Sequence, residues 1–203
     1  MVLGVQSVWV VLPEIISTGS IHFPTDKHAR TKLQQTRTQW AASLGVMRGD
    51  LWADSGFIYA DPILARNTDA ALQAARGLTE RALSYAPHRS DVWLFFALLS
   101  YRLNSSQQHL AAALKMSYYT GSNQSDLAPL RIFVSVSLPE LSDIELQEMV
   151  RRDIRMIITC EPDLKPAVIA AYKNAPTTTK KFMENVISEV DQQFLDSVRD
   201  AGR

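Results

Sequence analysis

Residues 90–103 read SDVWLFFALLSYRL, and the run from Val92 to Leu99 inside them is apolar at eight consecutive positions. Ser90 and Asp91 offer helix caps before that run, and Arg102 and Asn104 close it. Trp93, Phe96, Ala97 and Ser100 recur at i, i+3, i+4 and i+7, which gives one packing face. Leu94, Phe95, Leu98 and Tyr101 remain for a second layer or a ligand. A surface helix has only one apolar side, so this segment predicts a helix covered on two faces by other helices.

The rest of the 203-residue chain agrees with an all-α fold. Its hydrophobic fraction of 46% is ample for a core, and it carries only eight glycines. Lys plus Arg and Asp plus Glu each count 21, so no global field points to nucleic acid or to acidic substrates. The single cysteine, Cys160, excludes an internal disulfide and reads as a buried structural thiol at a helix end.

Residues 1–23 are the one candidate targeting or membrane segment. Val2, Leu3, Val5 and Val8 to Leu12 crowd a run too short to span a bilayer before Pro13 and Glu14. No basic residue precedes the run and no small-residue cleavage site follows it, so a signal peptide fits poorly. A membrane anchor and an apolar helix docked on the helical array both remain open, with the lean toward membrane association in a cell envelope.

A helix is expected from Asp26 to Leu44, with Leu33, Trp40 and Leu44 on its inner face and Gly45 ending it. Lys27, His28, Arg30, Lys32 and Arg37 read as a solvated face, since no aromatic interleaves with them. Two helical hairpins follow. The first pairs residues 50–60 with 69–85 across a loop holding Asp61, Pro62 and Asn67. The second pairs 90–103 with 107–119, capped by Ser105 or Ser106 and ended by Gly121. Pro129 fits the first turn of a helix reaching Val136.

Ser142 and Glu145 form a capping-box pattern, after which Leu146, Val150, Ile154 and Ile157 trace one stripe. Shorter helices are expected over 166–174, 178–190 and 192–199, the middle one facing inward through Phe182, Val186 and Val190.

Trp93 and Leu127 lie 34 residues apart, as do Phe96 and Leu130. From Trp52 the chain reads Trp52, Gly56, Tyr59, Ala75, Ala82 and Pro87. This series resembles the tetratricopeptide repeat if seven residues are inserted between its two helices. Small residues at Gly56, Ala75 and Ala82 would let two helices approach closely, with Trp52 and Tyr59 filling the space beside them. The second unit keeps Trp93, Phe96, Ala97 and Ala113 but has His109 and Gly121 where a small residue and Pro are usual. More narrowly, LKMSYYTGSN and RDIRMIIT resemble segments of uncharacterised tetratricopeptide-like proteins of bacteria.

The resemblance implies a right-handed α-α superhelix of antiparallel helix pairs, an α-solenoid, with helical hairpins over 26–136 and a C-terminal helical cap over 137–203. Its first helices would line a concave groove. Carried over position by position, the groove holds Asp50, Ala53 and Phe57, then Asp91, Leu94, Leu98, Tyr101 and Arg102, then Ser125, Ala128 and Ile132. With Ala53 and Phe57 where a carboxylate clamp would begin, the expected ligand is an apolar peptide or protein segment held in a groove.

The alternative to an open groove is that Leu94, Leu98 and Tyr101 are core and the C-terminal helices fill it. His22, His28, His88 and His109 are scattered without ligand spacing, so no metal or cofactor is expected. Glu145, Glu148 and Asp153 share a helix with Arg151, Arg152 and Arg155, and ion pairs such as Glu148 with Arg152 explain them. The expected function is a non-catalytic scaffold for a protein partner. A subunit of a homo-oligomer or larger assembly is the second expectation, and an enzyme with an unrecognised site the third.

Overall fold

The computed structural model describes residues 13, 15–17, 19–24, 32–45, 47–60, 68–138 and 141–202. The apolar run 2–12, the basic residues Lys27, His28 and Arg30, and the loop residues Asp61, Pro62 and Asn67 lie outside the described residues. Among the described residues the protein is all-α, with ten α-helices and no strand. The chain divides into two compact units, Met1–Ser105 and Ser106–Arg203.

The first unit contains α1 (Lys32–Leu44), α2 (Gly49–Phe57), α3 (Asp69–Tyr85) and α4 (Ser90–Arg102), with a 3-10 turn at Ile58–Ala60. Each of these helices packs on the next in sequence. The α2–α3 pair is antiparallel and close because its contact is made of small residues. A Cβ on Gly49 would stand 2.7 Å from Cβ of Ala86, and one on Gly56 would stand 3.0 Å from Oγ1 of Thr79. Ala75 and Ala82 are fully buried against them. Trp52 is buried beside this seam under the guanidinium of Arg81, 4.9 Å from its ring centre.

Two expectations for this unit are corrected. Leu33 and Trp40 of α1 point to solvent, 70% and 62% exposed, while Thr38, Ala41 and Ala42 face inward. The contact with α2 is again made of small groups, with the Ser55 hydroxyl donating to the Thr38 carbonyl at 3.1 Å, and bulky side chains are turned outward. In α4, Leu94, Phe95, Ala97 and Leu99 are fully buried, whereas Trp93 and Phe96 are half-buried and meet edge to face. The indole N–H of Trp93 donates to the Pro87 carbonyl at 2.7 Å, fixing the ring at the helix start and not deep in the core.

The second unit contains α5 (Gln107–Thr120), α6 (Ala128–Val136), α7 (Ile144–Cys160), α8 (Lys165–Asn174), α9 (Thr177–Ser188) and α10 (Gln192–Ala201). Short α6 is central, packing on α5, α7 and α8, while α9 packs on α7 and α10. Leu146, Val150, Ile154 and Ile157 are all fully buried, as their spacing predicts.

The cap of α7 is Asp143 and not Ser142; its carboxylate accepts from the Leu146 N–H at 3.1 Å. In α9 the buried face is Thr179, Met183, Val186 and Ile187. Phe182 is half-buried beneath the Arg151 guanidinium, one step out of the expected phase. Cys160 is exposed at the last turn of α7, not buried. Glu148 pairs with Arg151 at 3.2 Å, while Arg152 reaches the Ser122 carbonyl at 3.4 Å.

Candidate binding surfaces

The residues expected to line a groove in the first unit have two fates. Phe57, Leu94 and Leu98 are buried, Leu94 completely. Phe57 stacks on Phe23 with ring centres 5.1 Å apart and planes 12° apart, and Phe95 closes the cluster edge-on to both rings. The segment carrying Phe23 is anchored by the Ile21 N–H, which donates to Oδ1 of buried Asp54 at 3.1 Å. At Phe57 the place expected for a ligand is therefore taken by the protein's own residues 21–23.

Asp50 and Asp91 stand at the starts of α2 and α4 as expected, but each is paired locally. Asp50 accepts from Arg48 at 2.5 Å, which is the first cause holding its carboxyl below the ordinary range. Asp91 pairs with Arg89 in the same arrangement. Tyr101 and Arg102 are half-buried at the end of α4. Ile132, in α6 of the second unit, is 1% exposed and belongs to that unit's core.

An open groove exists within the second unit, at residues that the sequence reading assigned to no groove. It has a volume of about 540 Å³ and runs between α5 and the segment leading into α7. Ala111 and Ala112 with Leu138, Leu141 and Leu146 supply its apolar lining, and Gln107, Gln108 and Ser142 edge it. Lys115 crosses one end, 2.8 Å from Asp143 and 3.3 Å from Glu145, while the Tyr119 hydroxyl donates to Glu145 at 2.5 Å. These bonds raise the Lys115 pKa, Asp143 first and Glu145 second, and lower both carboxyls. Two carboxylates against one ammonium leave this end net acidic.

The alanines explain why the groove was missed. LAAAL at 110–114 puts three identical side chains in a row, and nothing in the sequence says that Ala112 is exposed while Ala113 is core.

A second feature of this unit is polar and internal. Arg131 of α6 is fully buried, with Nε donating to the Ser117 hydroxyl at 3.0 Å and Nη2 donating to the carbonyls of Ser117 at 2.6 Å and Gly121 at 3.0 Å. Its guanidinium lies 4.6 Å from the ring centre of Tyr118. Asp153 of α7 is 3% exposed, which sets it apart from the side-chain ion pairs by which its helix's carboxylates were explained. Nη1 of Arg131, Oη of Tyr118, Oγ of Ser135 and Oδ2 of Asp153 are all buried without a hydrogen-bond partner.

Burial pushes the Asp153 carboxyl up to about 6 against the opposing pull of Arg131. Burial also lowers the pKa of Arg131 and raises that of Tyr118. A signal for Asp153 was present in the sequence: it falls three residues after Val150 and four before Ile157, on the apolar stripe.

Among the described residues no group of three or more His, Cys, Asp or Glu side chains converges as a metal site would require. Among them also, no helix is long and apolar enough to cross a membrane. Comparison with family models, with curated proteins and with solved structures finds no match to this chain.

Proposed function

We propose that the protein is a non-catalytic helical scaffold that binds a segment of another protein, and that the α5 groove of the second unit is where the segment lies. The observation that carries this reading is the groove itself, whose alanine and leucine lining is framed by amide, hydroxyl and charged side chains. That combination suits an apolar anchor seated between polar contacts at its edges. The net acidic end at Asp143 and Glu145 favours a segment with a basic residue beside its anchors.

Kinship with tetratricopeptide hairpins is part of the same proposal, and repetition within the first unit supports it. Trp52 and Trp93 occupy the same step of α2 and α4, each two residues past an aspartate paired with a preceding arginine. Each also donates its backbone N–H to that arginine's carbonyl, at 3.4 and 3.2 Å.

Selection of a random peptide library on the full chain tests the binding role. The expected outcome is enrichment of peptides with two or three apolar anchors and a basic neighbour, whose affinity drops at least about tenfold, or about 1.4 kcal/mol, on Ala112→Arg. Enrichment that Ala112→Arg leaves untouched would remove the groove from the reading.

A second reading, assembly into an oligomer, is favoured by the outer face of α1. Leu33 and Trp40 on that face are 70% and 62% exposed, and Met47, in the turn that follows the helix, is 83% exposed. Light scattering on the full chain and on Trp40→Gln discriminates it, because a protein that is monomeric in both forms gives this reading no support.

A further inference from the structure

We propose that Asp153 is a proton-operated latch in the second unit: its neutral form lets α5, α6 and α7 close around Arg131, and its ionised form loosens the turn at residues 121–125. The inference is independent of the groove at Ala112. It begins from geometry. Asp153 borders a cavity of about 280 Å³ whose other lining residues are Ser122, Asn123, Gln124, Ser125, Arg152 and Met156. Along α7 its neighbours Val150, Ile154 and Ile157 are fully buried and apolar, so the cavity is the polar route by which water can reach the carboxylate.

The turn is closed by two long backbone bonds, from the Gln124 N–H to the Gly121 carbonyl and from the Leu127 N–H to the Gln124 carbonyl, both at 3.3 Å. The Gly121 carbonyl accepts from Nη2 of Arg131 at 3.0 Å, and the Ser122 carbonyl from Nη2 of Arg152 at 3.4 Å, near the limit for a hydrogen bond.

The groups that act on Asp153 are Arg131 from α6, Tyr118 from α5 and Arg152 from its own helix; α8 and α9, which also pack on α7, contribute no charge to it. Asp126 acts on Arg131 from the far side of the turn. When Asp153 loses its proton to water, its carboxylate becomes a buried anion whose lost hydration Arg131, the Tyr118 hydroxyl and Arg152 offset only in part. The guanidinium of Arg131 is then drawn toward it, and away from the Gly121 carbonyl that it holds. Opening the turn hydrates the carboxylate and relieves both demands.

The pKa of about 6 supports this order of events, because ionisation falls between pH 5 and 7 instead of near the ordinary value of 3.8. By linkage, an opening that restores the ordinary value becomes more favourable by up to roughly a hundredfold between pH 4 and pH 7.

Amide hydrogen exchange on the full chain, corrected for the intrinsic pH dependence of exchange, reads this directly. Protection over residues 117–126 is expected to fall by about ten- to a hundredfold between pH 4 and pH 7 in the wild type. In Asp153→Asn it should stay flat. Retention of the full pH dependence by Asp153→Asn would overturn the proposal, as would flat protection in the wild type. Carboxyl NMR of the wild-type chain requires no substitution: a titration midpoint for Asp153 near 6 is expected, and one near about 3.9 overturns the latch.

Discussion

The backbone N–H of Ile21 donates to Oδ1 of Asp54 at 3.1 Å, a bond that joins positions 33 residues apart and seats Phe23 against Phe57 and Phe95. Asp54 is 5% exposed, so its carboxylate is held by what it accepts in the interior. Asp54→Ala is expected to cost about 1.5–3 kcal/mol, the range for a hydrogen bond to a charged group. Urea melts measure the loss, and faster exchange of the Ile21 amide should accompany it.

In α4 the order of costs is set by helix phase. Leu94 is fully buried, and Leu94→Ala should cost about 2–5 kcal/mol. Trp93→Ala, which removes a half-buried ring, should cost about 1–2 kcal/mol despite the larger side chain. Denaturant midpoints that reverse this order would place α4 in a different rotation.

Glycines in the first unit should answer oppositely to the same change. Gly49→Ala drives a Cβ to 2.7 Å from Cβ of Ala86, with the Ala82 carbonyl oxygen and the Ala86 nitrogen both at 3.1 Å, and should cost about 1–3 kcal/mol. Gly77 lies within exposed α3 surface, where an added Cβ meets nothing within 4 Å, so Gly77→Ala should stabilise by about 0.5–1 kcal/mol. Thermal melts of the two variants provide the comparison.

Asp153 also sets a pH dependence of global stability. Its folded pKa of about 6 lies above the ordinary 3.8, so its contribution is most favourable below pH 3.8, declines as pH rises toward 6 and is level above that. The decline amounts to about 3 kcal/mol by linkage. Asp50, Asp143, Glu184 and Asp191 have lowered pKa values and act in the opposite sense, losing stability as pH falls through their own titrations. The difference between the wild type and Asp153→Asn isolates the buried carboxyl. That difference should change across pH 4–6 and be constant from pH 7 to 8.

Cys160 is exposed, and the folded protein should react stoichiometrically with a maleimide at pH 7 without loss of helical circular dichroism. Slow labelling that requires denaturant would put the thiol back inside.

Helix identity was legible wherever caps and period agreed. Ser106, one of the two serines expected there, caps α5, and the Leu146 to Ile157 stripe is core throughout. Rotation about the helix axis was not legible where small residues make the contact. In α1 the eye follows Leu33 and Trp40, yet the buried side is Thr38, Ala41 and Ala42, because close approach of backbones demands short side chains and leaves no room for an indole.

The same physics hid the groove at Ala111 and Ala112, since a small residue is equally at home in a tight seam and on an open floor. Charged residues misled differently. Asp153 sits among three arginines in sequence, but helical geometry turns it to the opposite side from Arg151 and Arg155, which meet Glu189.

Phe23 has a consequence for how the first unit meets other molecules. A foreign aromatic or aliphatic group competing for the rings of Phe57 and Phe95 faces a rival tethered to the same chain, present at an effective concentration that a dilute ligand does not reach. Removing residues 1–24 would take that rival away and leave two phenyl faces wet, turning a self-plugged cleft into an adhesive one.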